Sequence, residues 1–216
     1  MKEYLFFDLD GTLTDPSIGI TNSVMYALER FGFEPPKREE LYCFIGPPLV
    51  HSFKKYYNMS EEEGEKALKI YREYFSVKGL FENEVYPGIR EMLENLKNKG
   101  YKLVLASSKP EIYVKQILDH FDLSRYFHFI GGSDLDETRV EKNKVIEYCL
   151  ENINRPSVEK CLMIGDRMHD VEGAKAHKMD SVGVLYGFGS KSELVEAGAD
   201  HLASSPDELF EIIIGL

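Results

Sequence analysis

The stretch FFDLDGT, residues 6–12, places two aspartates and a glycine directly after an apolar run that is typical of a buried first strand. Burying unpaired carboxylates costs free energy, so proteins put them in such a position with a partner or a metal ion. Asp8 and Asp10 taken alone could also cap a turn, as aspartate often does. Their pairing with a second acidic motif, GDRMHD at residues 165–170, favours a functional site.

Further short apolar runs recur along the chain, and helical patterns lie between them. The first run is YLFFD (4–8), and the others are YKLVLA (101–106), HFIGG (128–132), CLMIGD (161–166) and SVGVL (181–185). Short runs without strict alternation are typical of parallel strands buried on both faces. Helices are predicted at 87–100, 110–121, 141–152, 170–178 and 190–197, with a last one after Ser205 as its N-cap. Strands that alternate with helices predict a doubly wound, Rossmann-like α/β fold with a parallel sheet.

Residues 16–84 depart from this alternation because they contain no convincing strand. Apolar residues recur there at helical spacing, and Ser60 with Glu63 forms a capping box before an amphipathic helix that runs to about Ser76. We therefore predict an α/β core domain made of residues 1–15 and 85–216. An all-helical cap domain at residues 16–84 is predicted to be inserted into it.

The composition excludes several classes of partner. The chain has 216 residues and a formal net charge of −11, from 26 basic and 37 acidic residues. Such a surface repels nucleic acid and anionic membranes, and it repels phosphorylated substrates unless a cation reverses the field locally. Asp8 breaks the first apolar run too early for a signal peptide, and the three widely spaced cysteines support neither a disulfide framework nor a zinc site. These features favour a location in the reducing cytoplasm.

Polar side chains lie at the predicted carboxyl ends of several strands, where open α/β sheets bind ligands. They are Asp8, Asp10, Ser107, Ser108 and Asp166. Carboxylates so close together repel one another unless a cation lies between them. Mg²⁺ is a hard ion that prefers oxygen ligands, whereas zinc is disfavoured because no histidine or cysteine accompanies these acids. The sequence therefore predicts a Mg²⁺ site that also attracts phosphate.

Four motifs occur in the order found in the haloacid dehalogenase superfamily, which the chain therefore resembles. They are DLDGT, a hydroxyl residue after the strand LVLAS, a downstream lysine and GDRMHD. The resemblance covers essentially the whole chain, since a helical cap inserted after the first motif is a known variant. DLDGTLTD, FIGPPL, SSKP and GDRMHD look most like the phosphoglycolate phosphatase branch, which also includes enzymes that act on nucleotides and sugar phosphates. The resemblance implies a Mg²⁺-dependent phosphatase for phosphoglycolate, a nucleoside monophosphate or a sugar phosphate.

The resemblance also implies a role for each acid. Asp8 would be the nucleophile that becomes an aspartyl phosphate. Asp10 would protonate the leaving alkoxide and then activate water, while its backbone carbonyl binds Mg²⁺. Asp166 would bind the metal directly, and Asp170 would help to hold it through water or a neighbouring group.

The remaining implied site residues would bind the phosphoryl group. Ser107 would donate a hydrogen bond to it, as would the backbone amides of Leu9 and Ser108. The spacing K-x-x-V-I selects Lys142 as the lysine that balances charge, with Lys144 as the alternative. Lys109 is expected to be a solvated residue at the start of a helix, near enough to the site to touch substrate.

Two other functions compete with hydrolysis. A phosphosugar mutase of the same superfamily would return the phosphate to a second substrate hydroxyl. A non-enzymatic phospho-receiver module shares the acids, the hydroxyl and the lysine, but it needs no insertion like that at residues 16–84. The expected partner is a small phosphorylated substrate, with neither nucleic acid nor membrane, and the expected assembly is a monomer or homodimer.

Overall fold

The structure, a computed structural model, describes residues 1–136 and 138–216. The chain divides into two compact units. One consists of Met1–Thr14 with Val85–Leu216, and the other of Asp15–Glu84. The chain therefore passes between the units twice, after residue 14 and after residue 84.

The strands form one large sheet and one small one. In chain order they are β1 (Tyr4–Phe7), β2 (Thr14–Asp15), β3 (Glu84–Val85), β4 (Lys102–Pro110), β5 (Phe127–Ser133), β6 (Cys161–Gly165), β7 (Asp180–Val184) and β8 (His201–Ala203). The large sheet has the order β5-β4-β1-β6-β7-β8 with parallel pairing throughout, and β2 pairs with β3. The predicted α/β class and parallel sheet are confirmed.

Strand β1 lies at the centre of the sheet, and its register sets the position of the residues that follow. Phe7 is fully buried and pairs with Leu105 of β4 on one side and with Ile164 of β6 on the other. Strands β1 and β6 therefore end at nearly the same level, and β4 continues past that level to Pro110. Since parallel strands present their carboxyl ends at one edge, the segments after β1, β4 and β6 converge there.

The unit Asp15–Glu84 is helical. Its helices are α1 (Ser17–Arg30), α2 (Leu49–Tyr57) and α3 (Glu61–Tyr74), followed by a π-helical turn at Phe75–Gly79. The predicted capping box of α3 is confirmed, because the Ser60 amide donates to Glu63 Oε2 over 2.8 Å and the Glu63 amide donates to Ser60 Oγ over 3.2 Å. Helix α1 packs closely on the π turn, where a Cβ atom on Gly19 would lie 1.9 Å from the Gly79 carbonyl oxygen.

Helices flank the large sheet in the other unit. They are α4 (Ile89–Asn98), α5 (Glu111–His120), α6 (Lys142–Asn152), α7 (Met168–Ala176), α8 (Lys191–Ala197) and α9 (Pro206–Gly215). Ser205 is the N-cap of α9, as predicted, since its hydroxyl accepts from the Glu208 amide over 3.2 Å. Helix α7 begins two residues earlier than predicted because the Asp170 carboxylate accepts from the Arg167 amide over 3.1 Å.

A membrane-crossing helix is not found in residues 1–136 and 138–216, where each helix is too short or too polar.

Candidate active site

Three carboxylates from two segments meet at the carboxyl edge of the sheet. Asp8 follows β1, Asp166 follows β6 and Asp170 lies in the first turn of α7. One oxygen of each lies within 4.8 Å of the others, and all three side chains are buried. The register of β1 against β6 therefore brings together acids that are far apart in the sequence.

The crowding of these acids changes their proton affinity. Burial raises the pKa of Asp166 well above its ordinary value, and the charges of Asp170 and Asp8 raise it further. Burial also raises the pKa of Asp170 to about 6, against the opposing charge of Lys142. A cation bound among the three acids would relieve both effects.

The loop after β7 holds Asp166 in place. The Phe188 amide donates to Asp166 Oδ2 over 2.8 Å, and the Thr12 hydroxyl lies 3.4 Å from Asp166 Oδ1. Gly187 allows the close approach, since a Cβ atom there would lie 2.4 Å from the Asp166 Cβ. Tyr186 adds a hydrogen bond from its hydroxyl to the Thr12 carbonyl over 3.1 Å. The sequence prediction missed this loop, although the glycines of GFGS at 187–190 were a signal for it.

Lys142 is the lysine that reaches the acids. Its Nζ lies 2.8 Å from Asp8 Oδ1 and 2.8 Å from Asp170 Oδ1, and it donates to the Ala106 carbonyl over 2.9 Å. Burial by itself lowers the pKa of Lys142, but Asp170 and Asp8 together raise it above the ordinary lysine value. Lys144, the alternative, has a side chain that is 52% exposed and lies 3.6 Å from Glu141.

Asp10 is paired with a second lysine, which corrects the prediction for Lys109. Lys109 Nζ lies 2.7 Å from Asp10 Oδ2 and 2.8 Å from Asp10 Oδ1, and the side chains are only 8% and 11% exposed. The expectation of a solvated residue is wrong because β4 continues to Pro110, which pairs with Ser133 of β5, before α5 begins. Burial raises the pKa of Asp10, and the Lys109 charge opposes that rise.

The residues expected to bind phosphate lie on β4 and in the turn after β1. Ser107 is buried near the end of β4, and its hydroxyl accepts from the Lys109 amide over 3.3 Å. Ser108 follows it on the same strand. Leu9 lies between Asp8 and Asp10, and its carbonyl accepts from the Leu13 amide over 2.9 Å, which closes the turn after β1.

The donor set fits a hard divalent cation. Asp8 Oδ1 and Asp170 Oδ1 are buried and accept no aligned hydrogen bond from the described residues, although Lys142 lies at ion-pair distance from both. Each acid offers only oxygen, the ligand that Mg²⁺ prefers, and the described cluster contains neither histidine nor cysteine. The Asp10 carboxylate lies outside this cluster and pairs with Lys109.

The parallel sheet and the acidic site at its carboxyl edge place the chain in the class of doubly wound α/β proteins, which bind ligands at that edge. Within that class, residues 5–184 match the family of haloacid dehalogenase-like hydrolases, and the chain belongs to this family. The predicted resemblance is thereby confirmed.

Several known proteins are similar to this chain. A 5'-nucleotidase of Pseudomonas aeruginosa is 47% identical over 190 residues, covering 88% of this chain and 86% of the relative. A tyrosine-protein kinase, PtkA, of Mycobacterium tuberculosis is 35% identical, and the match covers 98% of this chain and 72% of the length of PtkA. A phosphoglycolate phosphatase of Pseudomonas aeruginosa is 31% identical, and the match covers 91% of this chain and 74% of the length of that relative.

The fold is also close to that of a solved structure. The crystal structure of a predicted phosphatase from Clostridium acetobutylicum superposes with a TM-score of 0.97 at 48% identity, and the match covers 100% of both chains. Together with the family membership, these similarities identify the chain as a phosphoric monoester hydrolase.

Proposed function

We propose that this protein is a Mg²⁺-dependent phosphatase that hydrolyses a small phosphorylated metabolite through an aspartyl phosphate on Asp8. The observation that carries the proposal is the buried cluster of Asp8, Asp166 and Asp170 within 4.8 Å, with Lys142 2.8 Å from Asp8. A carboxylate held by a fixed cation points in one direction, which is what a nucleophile requires.

The metal would be held by the side chains of Asp8, Asp166 and Asp170, and by the backbone carbonyl of Asp10, as the family resemblance implies. When bound, Mg²⁺ supplies positive charge that offsets the charge on the phosphoryl oxygens. Lys142 orients Asp8 through its contact with Oδ1 and balances the charge of Asp170.

The reaction would have two steps. In the first, a carboxylate oxygen of Asp8 forms a bond to phosphorus as the bond from phosphorus to the ester oxygen breaks, and Asp10 gives its proton to the leaving alkoxide. In the second, Asp10 takes a proton from water as the water oxygen bonds to phosphorus. Asp8 is then released as a carboxylate, together with inorganic phosphate.

Ser107 and the amides of Leu9 and Ser108 would bind the oxygens of the transferred group. Donors aimed at charge that develops in the transition state contribute more in a buried site than in water. The burial of Ser107 supports this role.

Among small phosphorylated substrates, a nucleoside monophosphate is the first to test, because the 5'-nucleotidase of Pseudomonas aeruginosa is 47% identical to this chain. Phosphoglycolate and sugar phosphates follow it. We assign the choice of substrate to the helical insertion at residues 16–84 as a cap domain, which the compact helical unit Asp15–Glu84 supports.

A second candidate is transfer of the phosphoryl group to a hydroxyl other than water. The similarity to PtkA favours it, since that relative is named a tyrosine-protein kinase. A phosphosugar mutase would use the same aspartyl phosphate. The products separate these reactions, because hydrolysis releases inorganic phosphate at each turnover, whereas transfer yields a phosphorylated acceptor or an isomer.

The proposal is tested by measuring phosphate release from a nucleoside monophosphate, phosphoglycolate, a hexose 1-phosphate and an aryl phosphate, with Mg²⁺ and with a chelator. Asp8→Asn should abolish release, whereas Asp207→Asn, a matched change at an exposed aspartate of α9, should leave it unchanged. Full activity of Asp8→Asn would refute the assigned nucleophile. Full activity in the chelator would refute the requirement for Mg²⁺.

A further inference from the structure

Lys109 and Asp10 form a buried, two-point ion pair at the candidate active site. The Lys109 Nζ lies within 2.8 Å of both carboxylate oxygens of Asp10. Because Lys109 belongs to strand β4 and Asp10 to the turn after β1, the pair joins two segments that the central sheet holds in register. The carboxylate is therefore fixed in orientation as well as in position.

The two active-site lysines contact different acids. Lys142 forms its ion pairs with Asp8 and Asp170, whereas Lys109 forms its ion pair with Asp10. Its contact is with the acid to which the proposed mechanism assigns the proton transfers.

A buried ion pair contributes little net stability, because the desolvation of both charges offsets much of their attraction. An ion pair can instead serve catalysis by fixing the orientation of a group that transfers a proton. Proton transfer requires the donor and acceptor atoms to come within hydrogen-bond reach, about 2.6–3.2 Å, and a rotated carboxyl loses that geometry.

We propose that Lys109 is a positioning residue that holds the Asp10 carboxyl in the orientation needed for proton transfer to and from the oxygen of the leaving group. This role rests on the proposed phosphatase function. Lys109 acts through Asp10 and takes no part in bond making to phosphorus.

The role has a kinetic signature that a purely structural contact lacks. An alkyl phosphate expels a poor leaving group that needs a proton, whereas 4-nitrophenyl phosphate expels a stable phenolate that does not. General acid catalysis contributes about 10²–10⁴-fold, so partial misplacement of the acid should cost about 10-fold more with the alkyl substrate than with the aryl one.

The test is a double-mutant cycle with Lys109→Met, Asp10→Asn and both changes together, with kcat measured on glycerol phosphate and 4-nitrophenyl phosphate. Lys109→Met should lower the alkyl-to-aryl rate ratio by about 10-fold, and it should not lower that ratio further when Asp10 is already Asn. Lys102→Met is the matched control, because Lys102 lies on the same strand but is exposed and bonds to the Tyr4 hydroxyl over 2.8 Å.

Equal slowing of both substrates by Lys109→Met, or an effect on the ratio that is the same with and without the Asp10 carboxyl, would overturn the proposal. If Lys109→Met does not fold, as judged by circular dichroism, Lys109→Gln is measured by the same ratio and judged by the same criterion. A wild-type protein that releases no phosphate from either substrate would instead overturn the proposed function, so the two failures are distinguishable.

Discussion

Replacing Lys142 with Met removes the one cation placed between Asp8 and Asp170 in the described site. The Lys142 side chain is 4% exposed, and its Nζ lies 2.8 Å from an oxygen of each acid. Methionine fills a similar volume but leaves both carboxylates buried without their partner. Breaking a buried ion pair by removal of one partner costs about 3–5 kcal/mol of unfolding free energy.

For a protein of this size, each kcal/mol shifts Tm by about 2–4 °C, so Lys142→Met should lower Tm by about 6–20 °C in metal-free buffer at pH 7. The loss should become smaller as the pH is lowered from 7 to 5, because burial raises the pKa of Asp170 to about 6 and its protonation removes one uncompensated charge. Hydrolysis should fall by about 10²–10³-fold, the usual effect of removing one group that stabilises developing negative charge.

The assay is thermal unfolding of the wild type, Lys142→Met and Lys144→Met, each without metal at pH 7 and at pH 5. Lys144→Met is the control, because that side chain is 52% exposed and its pair with Glu141 lies on the surface. A Tm for Lys142→Met within about 2 °C of the wild type, roughly 1 kcal/mol or less, would refute the argument from buried charge. An equal or larger loss in Lys144→Met would show that the wrong lysine had been assigned.

Three further outcomes are expected from the acidic cluster and the loop that holds it. Asp166→Asn should raise the metal-free Tm at pH 7, because it removes a carboxyl group whose pKa is raised by burial and by neighbouring acids. The same change should abolish the stabilisation by added Mg²⁺. An unchanged response to Mg²⁺ in a thermal-shift assay would contradict the assignment of Asp166 as a metal ligand. The metal-free wild type should lose stability as the pH rises from about 4 to about 7. The pKa of Asp170 is raised from 3.8 to about 6 in the folded state, so in this range the folded state binds more protons than the unfolded state. Denaturant titrations at several pH values across the range test whether the free energy of unfolding falls as the pH rises. Gly187→Ala should weaken Mg²⁺ binding, because its Cβ would lie 2.4 Å from the Asp166 Cβ, whereas Gly215→Ala meets no atom within 4 Å and should bind normally in calorimetry.

The strands of the core could be predicted closely because they are buried on both faces and therefore apolar throughout. Strand β1 was predicted at 4–8 and lies at Tyr4–Phe7, and β6 was predicted at 161–166 and lies at Cys161–Gly165. Strand β8 was missed because His201–Ala203 is too short for any periodicity to be visible.

The choice between Lys142 and Lys144 shows where the sequence pattern loses its power. Two residues apart on a helix, the side chains point to nearly opposite faces, so only the start and packing of the helix decide which one meets the acids. Helix α6 begins at Lys142, which turns that residue inward and leaves Lys144 half exposed.

Lys109 was misjudged for a related reason. The tetrapeptide SSKP fits a helix start, because proline is common in the first turn, but it also fits the end of an edge or irregular strand. Pairing of Pro110 with Ser133 extends β4, and the extended strand turns Lys109 towards Asp10. Pairing partners in a sheet come from distant parts of the chain, and local residue preferences carry no record of them.

The amino-acid sequence by itself determined the α/β alternation, the helical insertion, and the kinds of residue at the strand ends, because burial and hydrogen bonding impose these patterns locally. Only the tertiary structure decided which lysine pairs with which aspartate. It also decided that the loop at 186–190 donates a hydrogen bond to Asp166. Such contacts depend on strand order and register, which arise when segments far apart in the chain pack against one another.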